Sequence, residues 1–103
     1  MKRGEIRWYK FKTPDKKCPV LVLTSDSILE YLREITVAPI TSAVRDIPSE
    51  LFLSKPDGMM KDCAINLDHI QTVSKGKIGS IITTLSQDKL KHVRDAIQFA
   101  LGL

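Results

Sequence analysis

Only the last stretch of this 103-residue sequence reads as a long packed helix; nearly everything before it comes as short strand-forming runs separated by turns. Glu5-Ile6-Arg7-Trp8-Tyr9-Lys10-Phe11 begins in alternation and predicts a half-exposed strand. Val20-Leu21-Val22-Leu23 is a run of strand formers too short for a buried helix, and predicts a strand covered on both faces. Ile35 to Ile40, Glu50 to Leu53, Cys63 to Leu67, His69 to Val73 and Ile78 to Thr84 extend the series, with Asp68 marking a break or bend. Pro39 removes a ladder donor, which predicts an edge or a bend in its strand. Ser25-Asp26-Ser27 ahead of Ile28, Leu29 and Leu32 predicts an inserted helix of about two turns. Ser86 caps the terminal helix, whose face is Leu90, Val93, Ile97, Ala100 and Leu101, and Gly102 ends it. This order predicts one domain over residues 1–103, mainly β with helices (α+β): a small barrel with a short inserted helix and a C-terminal helix.

A chain this short buries one modest core, so association into a dimer would add stability. Apolar residues at 43% and charged residues at 27% exclude a disordered chain. The net charge of +4 suits an anionic partner. A charged start with no apolar run behind it predicts no signal peptide, no membrane span and a cytoplasmic protein. Cys18 and Cys63 form neither a disulfide framework nor a zinc pattern, and a redox pair between them has no support in their spacing.

The residues argue against most enzyme classes. His69 and His92 stand alone, the carboxylates are scattered, and there is neither a phosphate-cradling glycine loop nor a serine elbow. No metal or cofactor is expected. Cleavage of RNA remains feasible without them, because RNA carries its own 2′-hydroxyl nucleophile. Such a site needs proton-transfer groups and donors for the developing phosphorane charge. Three places carry suitable groups: the basic loop Lys16-Lys17 beside Cys18-Pro19, Thr41-Ser42 at a strand end with Arg45 nearby, and Asp68-His69-x-Gln71. Each also has an ordinary reading, as a solvated turn, plain turn chemistry and an exposed strand histidine. Trp8, Tyr9 and Phe11 offer either a stacking surface for bases or plain packing.

Five segments in order resemble the MazF/PemK growth-inhibitor family. Gly4-Glu5-Ile6-Arg7-Trp8 is similar to its opening Gly-(Asp/Glu)-(Ile/Val)-x-Trp. Pro19-Val20-Leu21-Val22-Leu23-Thr24-Ser25-Asp26 resembles its Arg-Pro-Val-Leu-Val-Leu segment and the residues after it. Thr36 to Ser42 resembles its Val-x-Pro-Ile-Thr-Ser strand end, and Asp68 to Val73 its Asp-Gln-Ile-Arg-Thr-Ile segment. Ile78-Gly79 and the terminal Leu90, Val93, Ala96 and Leu101-Gly102-Leu103 complete the pattern. The resemblance implies an SH3-like barrel of the CcdB/MazF type and a homodimer. It implies cleavage of single-stranded mRNA to 2′,3′-cyclic phosphate and 5′-hydroxyl ends, and a cognate antitoxin whose acidic, disordered C-terminal segment occupies the RNA groove.

By resemblance, Thr41 matches the catalytic threonine, with Ser42 beside it. The family's catalytic arginine stands where this chain has Cys18, a group with neither permanent charge nor a fork for phosphate. Lys17 or Lys16 from the same loop, or Arg45 from across the groove, would then supply the charge. His69 replaces the family's glutamine and could act as acid or base, so Lys16, Arg45, Asp68, His69 and Gln71 are the expected RNA contacts. The loop between the first two strands is shorter than is common in the family. Two other readings stand beside this one. The first is a non-catalytic toxin acting on a protein such as gyrase, as CcdB toxins of this barrel do, which Cys18 favours. The second is a plain nucleic-acid-binding barrel, supported by charge alone.

Overall fold

A computed structural model describes residues 1–10 and 17–103; the expectations for Phe11 and Lys16 lie outside the described residues. The described residues form seven strands, β1 (Glu5–Lys10), β2 (Lys17–Val22), β3 (Glu34–Thr41), β4 (Glu50–Leu53), β5 (Cys63–Asn66), β6 (Gln71–Ser74) and β7 (Ile78–Thr84). Two helices join them, α1 (Asp26–Leu29) and α2 (Gln87–Leu101). All pairings are antiparallel, in the order β4-β5-β3-β2-β1-β7, with β6 also on β3. The result is the mostly-sheet half-barrel with a terminal helix that the strand pattern implies.

Alternation along the strands builds two cores, one on each face. Ile6 pairs with Leu21 and Leu21 with Ala38, so these share one face with Ile40, Ile65, Leu53 and Leu67. Tyr9, Val20, Val22, Ile35, Val37 and Val73 pack on the other, around Leu29 of α1. Val20, Leu21 and Val22 are each fully buried, as expected of a strand covered on both sides.

The terminal helix closes the first core. Ser86 Oγ accepts the Lys89 N–H at 3.2 Å, satisfying one orphan donor, and Gly102 ends the helix at φ 71°. Leu90, Val93 and Ala96 are buried against the sheet, Val93 completely, which stabilises by about 1.5–3 kcal/mol for a side chain of its kind. Gly4, at φ 92°, lets the chain pass close under Leu90, where a Cβ would come within 3.1 Å of Leu90 Cδ1. Leu101 departs from the expected face: as the helix's last residue it is 54% exposed, because the cover ends before it, and Ala96 takes its place in the buried stripe.

Two further expectations need correction. The inserted helix is one turn, not two, and Ser25 makes no capping bond, its hydroxyl being engaged with Ser27. Asp26 in that turn instead accepts the Arg3 N–H at 2.7 Å. Of the edge or bend expected at Pro39, only the edge is overturned: the residue lies in a central strand, where β3 passes from one partner to another. Thr36 turns both backbone groups toward β2, accepting from Leu23 and donating to Thr24 Oγ1, so by alternation residue 39 faces the other side. On that side β3 pairs with β6 up to Val37 and with β5 from Ile40 onward. The missing N–H therefore falls in the gap between two partners, where no ladder bond is lost. Among the described residues no helix is long and apolar enough to cross a membrane.

Candidate nucleic-acid cleft

The face carrying the first core continues past the reach of α2. Trp8 pairs with Pro19, two residues beyond Ile6 and Leu21, and Lys10 pairs with Lys17 beyond that. In the same register Cys18 comes opposite Thr41, and Ser42 opposite Cys63. The turn after β4 leans over this row, with Thr83 Oγ1 of β7 donating to Asp57 O at 3.3 Å. Gly58 makes that approach possible: it sits at φ 96°, and any Cβ would lie 2.3 Å from Thr83 Oγ1. Met59, Met60 and Lys61 follow directly and line the cleft.

The result is an open, mostly apolar cleft of about 540 Å³. Its polar edge is Lys17, Cys18, Thr41, Ser42 and Lys61, and its apolar floor includes Trp8, Ile40 and Met59. Four expected residues, Lys17, Cys18, Thr41 and Ser42, are thus brought together where β2 begins and β3 ends. Thr41 Oγ1 accepts the Ala43 N–H at 3.0 Å. That bond occupies a lone pair and leaves the hydroxyl proton free to donate outward. Lys61, Met59 and Met60 were missed. Their only signal in the sequence is a Met-Met-Lys run after the Lys55-Pro56-Asp57-Gly58 turn, and nothing local shows that the turn folds toward β7.

The remaining expected residues lie elsewhere. Glu50, its side chain only 2% exposed, accepts both the Arg45 backbone N–H at 2.9 Å and Arg45 Nε at 2.6 Å. Arg45 Nη2 stands 3.8 Å from Asp68, whose carboxylate also accepts the Ser49 hydroxyl. Asn66 Oδ1 accepts the Asp68 N–H at 3.0 Å, and its amide nitrogen lies 3.1 Å from His69 Nδ1. An amide nitrogen can only donate, so His69 Nδ1 is the acceptor in this contact. Arg45, Asp68 and His69 therefore bind the β3–β4 loop to the β5–β6 turn and do not line the cleft. Gln71 is exposed on β6, opposite Val37, and does not line it either.

Trp8 is 36% exposed on the cleft floor, whereas Tyr9 belongs to the second core. Cys63 is buried, and burial pushes its thiol pKa up, with Asp62 and Asp57 adding to the effect against Lys61. Both cysteines are free. They belong to strands separated by β3, about 9–10 Å apart at two strand spacings, which exceeds the reach of a disulfide. Among the described residues no group of three His, Cys, Asp or Glu side chains could hold a metal ion.

Residues 2–101 match the family described as PemK-like, MazF-like toxin of type II toxin-antitoxin system. The probable endoribonuclease MazF2 of Mycobacterium tuberculosis is 32% identical over 103 residues, covering 99% of each chain. The solved structure of Mycobacterium tuberculosis toxin MazF-mt6 superposes with a TM-score of 0.88 at 29% identity, over 96% of this chain and 97% of that one. An endoribonuclease in complex with its cognate antitoxin, from Mycobacterial species, shares the fold at a TM-score of 0.88 and 19% identity, over 100% and 96% of the two chains. A match over nearly the whole length, on a half-barrel whose strand ends gather Lys17, Cys18, Thr41 and Ser42, settles the assignment: the chain belongs to the PemK/MazF toxin family.

Proposed function

We propose that this protein is a metal-independent endoribonuclease toxin that cuts single-stranded RNA in the Thr41 cleft. The observation that carries this reading is the Thr41 hydroxyl, whose oxygen accepts the Ala43 N–H and whose proton is left free to donate, in one cleft with Lys17. The RNA 2′-oxygen attacks the adjacent phosphorus and loses its proton to water. The bond to the 5′-oxygen breaks in line, leaving a 2′,3′-cyclic phosphate, and that oxygen takes up a proton. Thr41, with Ser42 beside it, donates to the phosphoryl oxygen as negative charge develops there. The Lys17 ammonium balances that charge and is the proton donor to the leaving oxygen. Cys18 borders the same phosphate. Arg45, Asp68, His69 and Gln71 contact RNA outside the cleft, the first three on a surface stiffened by Glu50, Ser49 and Asn66.

The named activity of the relatives supports this reading. The alternative, a non-catalytic toxin acting on gyrase, finds no support among them. A cognate antitoxin with an acidic segment would neutralise the cleft by the same electrostatics, as the antitoxin complex of a fold relative suggests. The protein acts in the cytoplasm, as a homodimer.

The test is purified protein on mixed single-stranded RNA in EDTA, with product ends mapped. Discrete cuts with 5′-hydroxyl ends are expected, and Thr41→Ala is expected to slow single-turnover cleavage at least about tenfold with an unchanged melting temperature. Undiminished cleavage by Thr41→Ala would remove Thr41 from the mechanism. Absence of cuts from a folded wild-type protein would remove the ribonuclease reading.

A further inference from the structure

Next to the cleft lies a second recess of about 370 Å³, lined by Trp8, Lys10, Lys17, Lys77, Gly79 and Ser80 among others. It shares Trp8 and Lys17 with the cleft, so the two adjoin. Lys10 and Lys17 are direct cross-strand partners, a placement in which like charges repel and weaken the sheet. Among the described residues no carboxylate pairs with Lys10, Lys17 or Lys77, although Arg7 on the same strand is paired with Glu5 at 2.8 Å. Arg7 also donates to Gly79 O at 2.9 Å, holding the recess wall against β1. Three ammonium groups with no carboxylate partner among the described residues, gathered around one recess, make a site for an anion.

We propose that this recess holds a backbone phosphate of the RNA, next along the strand from the phosphate being cleaved, with a base laid on Trp8 between the two. The inference rests on the ribonuclease reading and extends its footprint. Trp8 and Lys10 share one face of β1 two residues apart, about 6.6–6.8 Å by strand rise, a spacing on the scale of one nucleotide. An aromatic platform followed by a cationic recess matches the alternation of base and phosphate in a single strand. An acidic peptide needs the cations but not the platform.

The experiment compares wild type with the double variant K10Q/K77Q, leaving Lys17 in place. Binding is measured by fluorescence anisotropy over a range of salt. The probes are an RNA of about twelve nucleotides, within the span of single-strand sites, centred on the mapped cut, and a dinucleotide whose single phosphate is the scissile one, both blocked at the cut by 2′-O-methylation. The variant is expected to bind the long RNA about tenfold more weakly, with the slope of log K against log salt reduced by about 0.7 for the one lost phosphate. Its affinity for the short RNA and its cleavage rate at saturation are expected to match wild type. Its melting temperature is expected not to fall, since the substitution relieves the Lys10–Lys17 repulsion. An unchanged salt slope, or equal losses on both RNAs, would overturn the proposal. A loss seen only with a polyglutamate peptide would overturn it in favour of an acidic protein segment. Wild type that binds neither RNA would instead overturn the ribonuclease reading on which it rests.

Discussion

Cys18 stands where the resembled family pattern has its arginine, and we propose that Lys17 meets the departure. A thiol there carries no fixed charge, and Arg45, the expected substitute across the groove, is already held by Glu50. Lys17 is the neighbouring cation that lines the cleft from the same strand. Lys17→Ala is therefore expected to reduce single-turnover cleavage by about a hundredfold, as when a donor to a developing oxyanion is removed. Cys18→Arg is expected to raise the rate about tenfold by restoring a fork for phosphate. No change in either variant would show that the charge comes from elsewhere. Lys17, Cys18, Thr41 and Ser42 were legible in the sequence because each pair is contiguous at a strand end. That Arg45, Asp68 and His69 lie outside the cleft was not legible, because their partners Glu50, Ser49 and Asn66 come from other segments.

Among the elements, the turn between β4 and β5 shapes the cleft more than any strand does. Gly58 adopts φ 96° against Thr83, so its lack of a side chain is a structural requirement. Gly58→Ala is expected to cost about 2–4 kcal/mol, combining left-handed backbone strain and overpacking. For a domain of this size each kcal/mol lowers the melting temperature by roughly 4–8 °C. Thr83→Ala removes the atoms in the way but also the bond to Asp57 O, worth about 0.5–1.5 kcal/mol. The double variant is expected to recover part of the Gly58→Ala loss, and strictly additive melting shifts would show that the two do not meet. The turn itself was legible from Lys55-Pro56-Asp57-Gly58; its contact with β7 was not, because that contact spans more than twenty residues of chain.

At the scale of the molecule, the half-barrel is small and leaves apolar side chains uncovered. Phe99, Leu101 and Leu103 are 62%, 54% and 82% exposed at the end of α2 and just beyond it, and Phe52 is 47% exposed on β4. Surface of this kind supports association. Light scattering at micromolar concentration is expected to give twice the 11.6 kDa chain mass; a value equal to the single chain would contradict the homodimer.

Secondary structure came through from local chemistry. Period-two runs bounded by turn residues marked the strands, and a capped apolar stripe marked α2, because such preferences act within a few residues. The family was equally legible, since its segments follow in order along the chain. Tertiary structure decided the rest. Pro39 could sit in the central strand only because β3 changes partners there. Lys61 reached the cleft only because Asp57 and Gly58 meet Thr83, and the lysine recess formed only because register set Lys10 against Lys17. Each of these depends on which strands become neighbours, and that is settled by the burial of two shared faces rather than by any one segment's preference.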